Sequence, residues 1–103
     1  MVDVQETNGT VTVTVTSTDR ITVLNAGELK GVLVENINKD TTREVKLDLH
    51  NVKFMDSTGI SVLISGIRAS RETNHGFTLK AVQSDVLKLL VLMKIDKILD
   101  IEN

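Results

Sequence analysis

A chain of 103 residues, 41% of them hydrophobic, with a net charge of −2, can bury one core and is too short for two domains, so residues 1–103 are read as a single domain. The absence of cysteine removes disulfides and thiolate chemistry, while Phe54 and Phe77 as the only aromatics, among interspersed charges, leave no stacking platform or basic stripe for nucleic acid. The longest apolar run, Leu89 to Met93, is far short of the roughly 20 residues of a membrane helix, and no basic-then-apolar leader opens the chain; membrane insertion is not expected, and the cytoplasm is the expected compartment.

In chain order, Val2 and Val4 precede Asn8-Gly9, and Val11, Val13 and Val15 then alternate with Thr12, Thr14 and Thr16. Asn-Gly between such segments predicts an antiparallel hairpin. Asn25 with Glu28 makes a capping-box-like start for a first helix, whose stripe is Leu29, Val32, Leu33 and Ile37 and whose end falls near Lys39-Asp40. Val45, Leu47 and Leu49 alternate with Lys46, Asp48 and His50, which predicts a strand over 45–49 with one buried face. Ile60, Leu63, Ile64 and Ile67 fall at helical spacing, so a second helix runs from about Ser57 to Thr73, and Asn74-His75-Gly76 supplies left-handed residues to end it. Phe77, Leu79 and Ala81 alternate with Thr78 and Lys80 as another strand. A helix capped by Ser84 and a short strand near Lys97 to Ile101 complete the pattern.

Strands alternating with helices after an initial hairpin define an α/β class with a mixed sheet, antiparallel at the start and parallel through the crossovers. The polar rows Thr12/Thr14/Thr16, Lys46/Asp48 and Thr78/Lys80 place about three helices mainly on one face and leave the other largely solvated.

The junction Phe54-Met55-Asp56-Ser57-Thr58-Gly59-Ile60 carries the chemistry. The first N–H groups of a helix lack intrahelical partners and sit at the positive end of its dipole, so this start welcomes an anion. Asp56 or Ser57 is its N-cap. A Ser/His/Asp hydrolase would have to pair Ser57 with His50 or His75, yet Gly-x-Ser-x-Gly is absent and nothing places a base beside the serine. Asp48 and His50 share a strand face without a third metal ligand at recognisable spacing, and no Gly-x-x-x-x-Gly-Lys-Ser/Thr loop is present. The expectation is a protein without catalytic residues, cofactor or metal. Gly59 and Gly66 lie within the helix, where each costs about 1 kcal/mol relative to alanine; close packing of helix on sheet is the expected compensation at Gly66.

Asp48 to Ile60, reading Asp-Leu-His-Asn-Val-Lys-Phe-Met-Asp-Ser-Thr-Gly-Ile, closely resembles the signature of the anti-sigma factor antagonists, small bacterial proteins built on the STAS domain. Ser84 to Leu90 resembles that family's penultimate helix, and Ile95 to Leu99 the strand after it. The chain departs from the family in three places: Asp19-Arg20-Ile21-Thr22 stands where Gly-x-Leu-Asp is usual, Met93-Lys94 where a small residue and a glycine are common, and Asn103 where many relatives continue into a final helix, which is expected to be missing. The resemblance implies that Ser57 is phosphorylated by an anti-sigma factor that is also a serine kinase. It further implies that the unphosphorylated chain binds this kinase and frees a sigma factor, and that a serine phosphatase resets the cycle. Met55, Asp56, Ser57, Thr58, Gly59 and Val62 are the residues expected to meet the partner, with Gly59 keeping the helix start uncrowded so that Gly59→Ala folds but is phosphorylated slowly. The alternative within the same fold is a STAS subunit that serves as scaffold or regulates a transporter without a kinase cycle. The expected oligomeric state is a monomer or a weak dimer.

Overall fold

The structure, a computed structural model, describes residues 1–102. Strands β1 (Val2–Thr7) and β2 (Thr10–Val15) form the predicted hairpin. Asn8 at φ 52° and Gly9 at φ 87° supply the two left-handed residues that a tight two-residue hairpin turn requires. After a two-residue strand β3 (Arg20–Ile21) come helix α1 (Ala26–Ile37) and strand β4 (Glu44–Asp48). A second two-residue strand, β5 (Phe54–Met55), leads into helix α2 (Ser57–Thr73), followed by β6 (Gly76–Lys80), α3 (Ser84–Leu92) and β7 (Asp100–Glu102).

The main sheet has the order β1-β2-β4-β6-β7, antiparallel only between β1 and β2 and parallel elsewhere. Parallel neighbours need crossovers, and the helices supply them. Val11, Val13, Val15, Val45, Leu47, Phe77 and Leu79 point to one face and share a single core with Leu29, Leu33, Ile37, Leu63, Ile67, Val86 and Leu90 from the helices. Each such side chain contributes about 1.5–3 kcal/mol when fully removed from water. On the opposite face Thr12, Thr14, Lys46, Asp48, Thr78 and Lys80 are half-buried by their neighbours on adjacent strands. Lys46 Nζ there reaches Glu102 at 3.0 Å, spanning β6 to join β4 and β7. The alternation thus reports the layer arrangement faithfully, with all three helices sharing the apolar side.

Several local expectations are corrected. Asn25 is the N-cap residue of α1, yet no capping box forms, because its Oδ1 accepts from Thr22 N–H at 2.9 Å and its Nδ2 donates back to Arg20 O at 2.8 Å. The side chain closes the loop before the helix instead of the helix itself. Ser84 is the first helical residue of α3 and the N-cap is Gln83, which makes no side-chain cap bond. The last strand begins at Asp100 rather than near Lys97, since residues 93–99 are taken up by turns. Lys94 is left-handed there at φ 61°, the conformation a glycine adopts freely, and Ile95 N–H closes α3 on Leu90 O at 3.1 Å. Helix α2 ends on Asn74, left-handed at φ 61°, while Gly76 already belongs to β6.

Gly66 meets its expectation. A Cβ there would lie 2.6 Å from Phe77 Cε2, so the helix rests on the sheet at a distance only glycine permits.

Candidate functional site

The site is assembled by the two short strands that the alternation could not show. β3 and β5 pair in parallel, Arg20 with Phe54 and Ile21 with Met55. Backbone bonds extend the ladder on both sides: Lys53 N–H donates to Asp19 O at 2.8 Å and Asp56 N–H to Ile21 O at 3.1 Å. The Arg20 guanidinium sits 4.5 Å from the centre of the Phe54 ring, a cation–π contact that braces the same pair from outside. This small sheet carries the chain directly into the first turn of α2.

Asp56 is the N-cap of that helix, with extended backbone at φ −98° and ψ −172°. Its Oδ1 accepts from Thr58 N–H at 2.9 Å, from Gly59 N–H at 3.1 Å and from the Thr58 hydroxyl. Its Oδ2 accepts from Val23 N–H at 3.3 Å, which ties the loop before α1 to the start of α2. The Thr58 hydroxyl foremost, with the Gly59, Val23 and Thr58 amides, holds the Asp56 carboxyl below its ordinary value of 3.8 against the opposing effect of burial. The anion that this helix start welcomes is therefore already present, as the protein's own carboxylate. A second negative group at this helix start must share donors that Asp56 occupies.

Ser57 follows as the first helical residue and is exposed. Among the described residues its hydroxyl makes no hydrogen bond, whereas the neighbouring Thr58 hydroxyl is committed to Asp56. Two adjacent hydroxyls are thus sorted by one carboxylate into an engaged and an available one. Neither histidine approaches Ser57 by hydrogen bond: His50 Nδ1 donates to Asp48 Oδ1 at 2.8 Å, and His75 Nδ1 donates to Ile37 O at 2.6 Å.

The other residues expected to meet a partner divide by burial. Asp56 and Thr58 are half-buried, but Met55, Gly59 and Val62 lie in the core beneath Ser57 and present no surface to a partner. The role assigned to Gly59 is corrected as well. A Cβ at Gly59 would run into the Met55 side chain and come within 3.1 Å of Ile21 O, so the glycine lets α2 pack on the β3–β5 ladder. The apolar rim of the site was not foreseen. Val23 is 71% exposed, Leu24 93% and Phe54 43%; Ile64, which the helical spacing places on the apolar stripe of α2, is 37% exposed at its edge. Their signal was present in the sequence as Val23-Leu24 just outside any periodic stripe, a pair with no core position to fill.

This arrangement, a mixed sheet with helices on one face and an exposed serine after the Asp56 cap at a strand-to-helix junction, defines a class of small α/β domains. The STAS domain family profile matches residues 1–103, and the chain belongs to that family. The fold is shared with an anti-sigma-factor antagonist (STAS) domain protein from Planctomyces limnophilus, at 19% identity over 99% of this chain and 89% of the other, with a TM-score of 0.88. It is shared with the Bacillus cell fate determinant SpoIIAA, an anti-sigma factor antagonist, in its phosphorylated form, at 12% identity over 100% and 92% of the two chains and a TM-score of 0.75. A sulfate transporter family protein from Wolinella succinogenes matches at 18% identity over 91% and 76%, with a TM-score of 0.76. Among the described residues no helix is long and apolar enough to cross a membrane, and no cluster of His, Cys, Asp or Glu is arranged to hold a metal.

Two outcomes are expected from this geometry. Because the folded pKa of Asp56 lies below its unfolded value, the ionised cap stabilises the protein above pH 3.8 and that contribution disappears as pH falls through the folded pKa. Urea unfolding at stepped pH should show Asp56→Asn less stable than the wild type near neutrality, with the two converging in acid; parallel curves would contradict the capping role. Gly59→Ala should lose about 1–3 kcal/mol in the same measurement, through overpacking against Met55 and Ile21.

Proposed function

We propose that this chain is an anti-sigma factor antagonist whose partner binding is reversed by phosphorylation of Ser57. The observation that carries the reading is the free, exposed Ser57 hydroxyl at the first position of α2, beside a threonine whose own hydroxyl is engaged by Asp56. Family membership and the likeness to antagonists, one of them solved in a phosphorylated form, support it. The chain is then substrate and ligand. The kinase is an anti-sigma factor that supplies the ATP site, and a serine phosphatase returns the antagonist to its binding form. No nucleic acid, cofactor or metal enters the scheme, and the cytoplasm is the compartment it requires.

The switch follows from charge. A phosphate adds about −1.5 to −2 charges at Ser57, directly beside the ionised Asp56. In the free protein water screens this group, since Ser57 is exposed. Docking removes that water. An uncompensated buried charge costs roughly 3 kcal/mol or more, and each 1.4 kcal/mol is tenfold in affinity, so a loss of about a hundredfold needs no refolding.

A second reading is favoured by the likeness to the sulfate transporter family protein: a STAS module that regulates a transporter without a kinase cycle. The two readings part on the serine. Ser57→Asp should weaken binding to the anti-sigma kinase by roughly a hundredfold while keeping the wild-type unfolding midpoint. Ser57→Ala should bind like the wild type and accept no phosphate. Titration calorimetry with candidate anti-sigma factor serine kinases checks both, and equal affinity of the Asp variant and the wild type for a kinase that binds the wild type would contradict the switch.

A further inference from the structure

Arg71 near the end of α2, His75 in the turn that follows it and Lys97 in the turns before β7 line one cleft of about 350 Å³. The parallel pairing of β6 with β7 brings them together, because both strands start at the end of the sheet where α2 stops. Among the described residues neither Arg71 nor Lys97 forms an ion pair, although Asp100 lines the same cleft. A lone surface cation is ordinarily left to water, but cations from separate segments that converge on a concavity define a place for an anion. The volume lies in the range of small-molecule sites, roughly 300–1,000 Å³. The groove between α1 and α2 that Lys30 and Arg68 share is smaller, at about 180 Å³, and carries no such argument.

We propose that this cleft binds a small hydroxylated phosphate monoester, its phosphate held by Arg71 and Lys97 and a hydroxyl held by Asp100. Two permanent cations match the charge of a phosphate monoester, about −1.5 to −2, better than the single charge of a carboxylate. The Arg71 guanidinium can take two phosphate oxygens at once, while Lys97 acts as a point charge. Asp100 would repel a bare anion and accepts a hydrogen bond only from a ligand that also carries a donor, which is the reason for the hydroxyl.

The remaining lining residues narrow the ligand further. The His75 ring is oriented by its Nδ1–H bond to Ile37 O at 2.6 Å, which leaves Nε2 as its polar atom for the ligand. Phe77 reaches the cleft but is buried, with its ring packed under Gly66, so no aromatic face stands ready to stack a base. Ile98, half in water, offers apolar contact to a short carbon chain. The occupant is therefore a small phosphate ester and not a nucleotide. Arg71 follows Ser57 by 14 residues of the same helix, about 21 Å at 1.5 Å per residue, so the cleft is separate from the start of α2.

NMR titration of the full chain with glycerol 3-phosphate, inorganic phosphate, ATP and, at matched ionic strength, sodium chloride tests the site. Glycerol 3-phosphate should shift the amides of Arg71, His75 and Lys97 saturably, with a Kd of about 1 mM or tighter, and at least threefold more tightly than inorganic phosphate or ATP. Arg71→Gln combined with Lys97→Gln should weaken that binding at least tenfold at an unchanged urea midpoint, since both side chains are exposed. Asp100→Asn should abolish the preference for glycerol 3-phosphate over inorganic phosphate. Shifts that do not saturate, that sodium chloride reproduces, or that survive the double substitution overturn the site. Tighter binding of ATP overturns the ligand class, and an unchanged preference in Asp100→Asn overturns the role of Asp100.

Discussion

The carboxylate of Asp56 is the interaction on which the rest of the site depends. Its two oxygens meet three backbone amides and a hydroxyl drawn from two separate segments. Those segments are otherwise joined by strands of two residues each, too short to hold themselves together in water. A capped helix start has little freedom to fray, and a loop bonded to the same cap stays near it. The consequence reaches Ser57, which is exposed at a defined place because the residue before it satisfies the turn that the serine would otherwise be drawn into.

Beneath this surface the packing is unforgiving. Met55, Gly59, Ile60, Val62 and Leu63 are buried under the first turns of α2, and Gly66 brings the helix onto Phe77 farther along. Such a floor fixes the height and direction of the helix start, so the exposed serine is presented by a rigid element. The apolar rim formed by Val23, Leu24 and Phe54 differs in kind. Its residues stay outside the core and remain in water.

The sheet was legible in the sequence because its period is two and its polar face is truly polar: Val11/Val13/Val15 and Val45/Leu47 map onto the core without exception. The bounds of α2 were legible for the same reason, since its apolar stripe and the left-handed Asn74 mark its length. What escaped has physical causes. β3 and β5 are two residues long, and a period of two cannot be seen in a single repeat. The capping box at Asn25 failed because its amide found a competing pair of backbone partners in the preceding loop. Ser84 was displaced from the cap by one residue, a shift that composition does not resolve. At the site, the motif marks the strand-to-helix junction with its serine and carboxylate, but not the burial of Met55, Gly59 and Val62, because nearness to that serine in sequence says nothing of which side of the chain faces the core. Gly59 in particular answers to Met55 and Ile21, neighbours that only the folded β3–β5 ladder brings to it.

The central claim is that one hydroxyl of the adjacent pair Ser57 and Thr58 is available to a kinase because Asp56 engages the other. Site mapping by mass spectrometry, after incubation with ATP and an anti-sigma factor serine kinase, tests this most directly when Asp56→Ala is run beside the wild type. The wild type should carry phosphate on Ser57 alone, and Asp56→Ala should lose that selectivity and accept it on Thr58 as well. Phosphate on Thr58 of the wild type, or none on Ser57 under conditions where the kinase modifies its own known substrate, would contradict the claim.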